Sequence, residues 1–255
     1  MKRRAALVAM LTAVGVAVAG CGASSGNGSA STGASSATTG AVQRPASART
    51  TVRLIWSHNG KFFGKPQVWY VARVTNPGDS PASVALNARA LDSSGTIVGS
   101  SQETLPNIPP RSQFDYFGYL GGGGALDTEL TGTPVRITVT KAVNPFGQAG
   151  AVELPMIKTS EVALRQGGAA TYTDAPYSYN LSAKVTNTTG QVMNGGVTQQ
   201  VVLYDPAGHV VGGDTGSSDN VPQSLPAGMS YREKWTGIPA VHHAARAAYT
   251  VWPAD

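Results

Sequence analysis

The residues that could do chemistry in this chain are few and scattered. Cys21 is the only cysteine, and the four histidines are His58, His209 and the adjacent pair His242-His243. Asp92 and Asp205 occupy the same point of two similar segments, and each is followed three residues later by a glycine, Gly95 or Gly208. A repeated carboxylate invites a metal or catalytic reading. A turn already requires Asp there, however, because its carboxylate accepts the backbone N–H groups that follow. The two would also lie in separate domains and could not act on one atom. Adjacent histidines point to opposite faces of a strand and match no spaced ligand motif, so a solvated loop is the plainer reading. Gly121-Gly122-Gly123-Gly124 is not followed by Gly-Lys-Ser/Thr and is no phosphate-binding loop. Gly22-Ala23-Ser24-Ser25-Gly26 has the spacing of a nucleophile elbow, but that motif needs a strand before it and a helix after it. Neither is expected in a tract of Gly, Ala, Ser and Thr. No catalytic residue, metal site or cofactor is therefore expected.

The first fifty residues read as an address and a tether. Lys2-Arg3-Arg4 forms a positive n-region, and Ala5 to Ala19 carries no charge, the pattern of a secretory signal peptide. That apolar segment falls short of the roughly 20 residues a membrane-spanning helix needs. Val18-Ala19-Gly20-Cys21 resembles the lipobox of bacterial lipoproteins. The resemblance implies cleavage between Gly20 and Cys21 and a diacylglyceryl group on the Cys21 thiol. Two acyl chains hold a bilayer firmly, at about 0.8 kcal/mol per buried methylene. The expected location is the outer face of the plasma membrane, anchored but not spanning. With its one thiol consumed, the mature chain has no disulfide and must stand on its apolar cores. Gly22 to Thr50 holds no aromatic residue and only Val42 as a larger aliphatic one, so it should be a coil with a reach on the order of 30 Å.

Charge narrows the partners. The formal net charge is +5, but Lys2, Arg3, Arg4, Arg44 and Arg49 all precede residue 51; the remaining 14 Lys and Arg face 14 Asp and Glu. A net charge of zero leaves no basic surface for nucleic acid.

From Thr51 onward the chain repeats itself. Ala72-Arg73-Val74-Thr75-Asn76 and the segment Ala88 to Gly99 return as Ala183-Lys184-Val185-Thr186-Asn187 and Val201 to Gly212. The offset is 111 residues at the Asn pair, 113 at the Asp pair and 117 at the aromatic pair Phe114 and Tyr231. Apolar residues alternate with period two, as in Tyr70, Ala72, Val74 and in Leu181, Ala183, Val185, which predicts strands with one face on a core and the other largely wet. Asp205-Pro206-Ala207-Gly208 has the residue preferences of a type I turn and leads into Val210-Val211, predicting a β-hairpin; Asp92 to Gly95 repeats it before Ile97-Val98. Further strands are predicted around Phe114 to Tyr119, Val135 to Val139, Tyr231 to Trp235 and Ala248 to Trp252. No helical period of any length is present. The expected fold is all-β, two immunoglobulin-like β-sandwich domains in tandem, with an open barrel as the alternative. The layout is residues 1–20 signal, 21–50 lipidated Cys and tether, 51–148 first sandwich and 149–255 second sandwich.

Val-Thr-Asn, an alternating strand into Leu203-Tyr204-Asp205, then Gly208, Val210-Val211-Gly212 and Leu225-Pro226-Ala227-Gly228 before Tyr231, resembles the FxLYD-type domains of prokaryotic surface lipoproteins. The resemblance runs from Leu181 to Tyr231, with Val201 in place of the name-giving Phe. In the earlier copy Ala88, Ala90 and Leu91 replace Phe, Leu and Tyr, while Asp92 and Gly95 are kept. It implies an extracytoplasmic β-sandwich module without established catalysis. Abundant Gly, Ala and Thr with little Lys is similar to actinobacterial composition.

The remaining functional signal is a surplus of aromatics: Trp56, Phe62, Phe63, Trp69, Tyr70, Phe114, Tyr116, Phe117, Tyr119, Trp235 and Trp252. Opposite faces of one strand cannot all be buried in one core. The surplus rings either fill the cores and the contact between domains or face a ligand, for which Trp69, Tyr116 and Tyr119 are the candidates. The expected function is non-enzymatic binding of an envelope protein, with cell-wall glycan binding through exposed aromatics as the alternative. A hydrolase would need a nucleophile and base brought together by the fold, since no motif joins them.

Overall fold

The computed structural model describes residues 49–122, 129–142, 153–170 and 172–254. The segment expected to be a signal, the expected lipobox with Gly20 and Cys21, the expected tether up to residue 48, and Gly123 and Gly124 lie outside the described residues. The described chain is all-β: fourteen strands and no helix.

The first half contains β1 (Thr51–Phe62), β2 (Lys65–Asn76), β3 (Ala85–Leu91), β4 (Ile97–Thr104), β5 (Ser112–Gly121) and β6 (Arg136–Ala142). They form two antiparallel sheets, β1-β2-β5 and β4-β3-β6. The second half contains β7 (Lys158–Gln166), β8 (Tyr177–Thr186), the short β9 (Met193–Asn194), β10 (Val197–Tyr204), β11 (Val210–Ser217), the short β12 (Ser224–Leu225), β13 (Ser230–Ala240) and β14 (Arg246–Pro253). Here the order is β14-β10-β11-β13-β8-β7, in which β11 and β13 meet through the single pair Gly212 and Ala240. The strand orders of the halves correspond, and Val74 lies opposite Phe114 as Val185 lies opposite Tyr231.

The period-two pattern explains the cores. Tyr70, Ala72 and Val74 of β2 and Phe114 and Tyr116 of β5 pack on Leu86, Ala88 and Ala90 of β3. Leu181, Ala183 and Val185 of β8 pack on Val201 and Leu203 of β10. On β8 the intervening Asn180 and Ser182 are exposed, as alternation predicts. On β2 they are not: Trp69 and Val71 are buried as well, so this strand is covered on both faces. The cover is a third apolar cluster in which Trp69, Val71 and Phe117 meet Val202, Tyr204 and Val210 of the second half. Trp252 of β14 likewise reaches into the first core, edge-on to Phe114. The described residues of both halves accordingly form one compact unit.

Polar groups stitch the same contact. The Gln200 side chain acts as a short piece of strand against β5: its amide donates to Asp115 O at 2.7 Å, and its carbonyl accepts the Phe117 N–H at 3.0 Å. Beside it the Arg73 guanidinium grips Asp115 with two bonds of 2.7 Å, and the Tyr204 hydroxyl donates to Asp115 Oδ2 at 2.8 Å. Gly213 lets this happen, because a Cβ there would lie 2.6 Å from the Phe117 ring and 2.3 Å from Val201 O. Gln200→Leu should leave a buried donor and acceptor unpaired and cost about 1–3 kcal/mol. Amide exchange would show it as faster exchange at Phe117, and unchanged protection there would remove Gln200 from this role.

Candidate functional site

The turn residues are the simplest to place. In the β3–β4 hairpin Asp92 Oδ1 accepts the N–H groups of Ser94 at 2.8 Å and Thr96 at 2.9 Å, and in the β10–β11 hairpin Asp205 Oδ1 accepts the His209 N–H at 2.8 Å. Gly95 and Gly208 take the left-handed conformation, φ 85° and 89°, that closes each turn. Hydrogen bonding holds both carboxyls below their ordinary range: the Ser94 hydroxyl leads for Asp92, the His209 backbone for Asp205. These are structural positions at opposite halves of the molecule's sequence. His243 packs against Tyr177 with ring centroids 4.1 Å apart, and among the described residues no group of three His, Cys, Asp or Glu is placed to hold a metal.

A residue pair that the sequence marked only as a repeat proves to be structural as well. Asn187 is 0 % exposed; its amide donates to Gln191 O at 2.7 Å and Leu225 O at 2.8 Å, and its carbonyl accepts the Thr189 N–H at 3.0 Å. Asn76 does the same in the first half, donating to Ser80 O, Ile108 O and Pro109 O. Each Asn thus ties the turn after its strand to the loop that leads into β5 or β13.

The aromatics divide unevenly. Trp69 is 2 % and Tyr116 5 % exposed, so of the two readings left open for these rings both follow burial and neither offers an open stacking platform: Tyr116 lies in the first core and Trp69 beneath the second half. Sequence alternation alone shows no sign of that second cover. The Trp69 indole N–H is tied to Gln67 Oε1 at 2.5 Å. Tyr119 is half-buried at the margin of the same cluster. The ring that is exposed is Phe63, at 65 %, with Tyr172 at 56 % against it, 4.7 Å between centroids.

Phe63 and Gly64 make the two-residue turn between β1 and β2, with φ 48° and 77°. Such a turn favours Asn-Gly, because a bulky side chain at positive φ is strained. A phenylalanine held there, and held outward, is the kind of local cost found at binding sites. The loop between β7 and β8 clasps the turn: Phe63 N–H donates to Tyr172 O at 2.7 Å and Lys61 N–H to Asp174 Oδ1 at 2.8 Å. Nearby, burial lowers the pKa of His58, which lies 5.4 Å from Trp69.

Behind the tip a cleft of about 290 Å³ is lined by Phe62, Trp69, Phe117, Tyr119, Tyr172 and Asp214. Asp214 comes from β11 and is its only ionisable carboxyl. Burial pushes that carboxyl up to about 7, against a smaller lowering by the Thr215 N–H that it accepts at 2.9 Å. A second, larger and more polar cleft of about 650 Å³ opens where β4 and β5 fail to pair, bordered by Gln102, Glu103, Thr104 and Ser217 and floored by Leu154 and Trp252. With this geometry in hand, no family model matches the chain and no curated protein matches it.

Proposed function

We propose that this chain is an extracytoplasmic, non-enzymatic binding protein, anchored to the outer face of the membrane through Cys21 and engaging an envelope protein. The observation that carries the reading is Phe63, a large apolar ring exposed on a strained turn and braced by Tyr172. Aromatic anchors of this kind dominate the binding energy of protein interfaces. The resemblance of the lipobox and of the FxLYD-type segment supports the same reading, with residues 51–148 and 149–255 as the two modules and the tether lifting them off the lipid.

The test is a photo-reactive residue placed at Phe63 in the full lipidated chain in intact cells, with a control at the exposed Lys234 of β13. One discrete protein adduct at Phe63 and none at Lys234 is expected. Phe63→Asn should relieve the turn and raise stability by about 1 kcal/mol while reducing capture of that protein. Equal labelling from both positions overturns the reading. A second reading, stacking on cell-wall glycan, is favoured by the exposed pair Phe63 and Tyr172 and not by Trp69 or Tyr116. Recovery of wall glycan without a discrete protein, lost in Phe63→Asn, would place it first.

A further inference from the structure

We propose that the cleft behind the β1–β2 tip binds a small organic ammonium ion, held between Asp214 and the aromatic lining of Phe62, Trp69, Phe117, Tyr119 and Tyr172. The volume of about 290 Å³ lies at the lower end of the range for small-molecule sites, so the occupant is small.

The sign of its charge follows from Asp214. Other partly or fully buried carboxylates among the described residues are compensated. Asp115 has Arg73 and the Tyr204 hydroxyl, and Glu233 takes the Ser218 hydroxyl and the Asn220 amide at 2.8 Å. Asp214 has only the N–H of its own neighbour, Thr215, and among the described residues no lysine, arginine or histidine forms an ion pair with it. Asp214 is partly buried in the cleft wall with no cation beside it, and a cation that enters the cleft compensates its charge. The walls make the same choice, since the negative faces of aromatic rings attract cations and repel anions. A neutral polar ligand would leave the carboxylate uncompensated. An inorganic cation would forgo the apolar walls, whereas alkyl groups on nitrogen fill them. The proposal is independent of what the Phe63 tip touches, because it concerns the interior of the cleft.

The experiment is calorimetric titration of the full mature chain at pH 8 with choline, and with the neutral molecule in which carbon replaces its nitrogen. Choline should bind, the neutral isostere should bind at least about tenfold more weakly, and Asp214→Asn should weaken choline about tenfold or more while leaving the isostere unchanged, tenfold being about 1.4 kcal/mol. Tyr172→Ala, on a surface loop, should weaken choline several-fold. Absence of choline binding at concentrations on the order of 10 mM overturns the proposal. So does equal binding of choline and its isostere, which would make the cleft merely apolar, or equal affinity of Asp214→Asn.

Discussion

Asn187→Ala should lower stability by about 3 kcal/mol, the cost of unpairing one buried and two part-buried backbone groups at once. The amide of Asn187 is the partner of Gln191 O and Leu225 O, and its carbonyl serves both the N–H and the hydroxyl of Thr189. Alanine leaves Leu225 O buried without a donor and removes the partner of the part-buried Gln191 O and Thr189 N–H, at a position where the Asn187 side chain itself is fully enclosed. In a unit of this size the loss corresponds to about 6–12 °C in melting temperature. Asn187→Asp is a sharper version of the test. It keeps the acceptor but removes both donors and sets a carboxylate against two carbonyl oxygens, so it should destabilise comparably. Asn76→Ala should act alike, since Asn76 Nδ2 lies 2.8 to 3.0 Å from three carbonyls, those of Ser80, Ile108 and Pro109. Thermal unfolding followed by circular dichroism measures all three variants. An Asn187→Ala protein that melts with the parent would show that the repeated Asn is not what fastens these loops.

Asp214→Asn should do the opposite, and only above about pH 4, with the full effect reached as pH passes 7. Its carboxyl titrates at about 7 in the folded chain against an ordinary value of 3.8, because burial disfavours the charge. Folding is therefore linked to keeping the proton. The associated stability is fully present below about pH 4 and is lost as pH rises through 7. At about 1.4 kcal/mol per unit of pKa the loss is bounded at about 4 kcal/mol. Asparagine keeps the acceptor for the Thr215 N–H and has no charge to bury. The variant should thus match the parent near pH 4 and exceed it by about 2–4 kcal/mol at pH 8, an effect read from denaturant unfolding at both values. Comparing variant with parent cancels the other titrating groups, including Asp92 and Asp205, whose lowered pKa values act in the acid range. A difference independent of pH would show that Asp214 is hydrated in the native state. If choline binds as proposed, it should also reduce the advantage of the variant at pH 8, since the cation stabilises only the parent's carboxylate.

How much of this was legible in the residues follows the range of the interactions. Alternation along β2, β8 and β10 is a property of neighbouring residues, so the all-β fold could be read directly, as could the hairpins at Asp92 and Asp205, where a carboxylate bonds to N–H groups two to four residues on. The recurrence of Val-Thr-Asn marked Asn76 and Asn187 as equivalent, but not as fasteners, because their partners Ile108 and Leu225 lie more than thirty residues along the chain. Strand β1, an edge strand, alternates part-buried Val52, Leu54, Trp56 and His58 with exposed Arg53, Ser57, Asn59 and Lys61, the charged and polar residues an edge strand can carry.

By itself the sequence determined the class of fold, the places of the turns and the surplus of aromatic side chains, because steric preference and hydrophobic periodicity act over a few residues. Only the tertiary structure decided which aromatics are covered, since Trp69 and Phe117 owe their burial to Val202, Tyr204 and Val210, up to about 140 residues away in sequence. It also decided that Phe63, one of the surplus aromatics, stands in solvent while Trp69 and Tyr116 do not, and that Asp214 sits in a cleft lined by aromatic residues. Desolvation depends on everything that surrounds a group in space, and no local pattern encodes it.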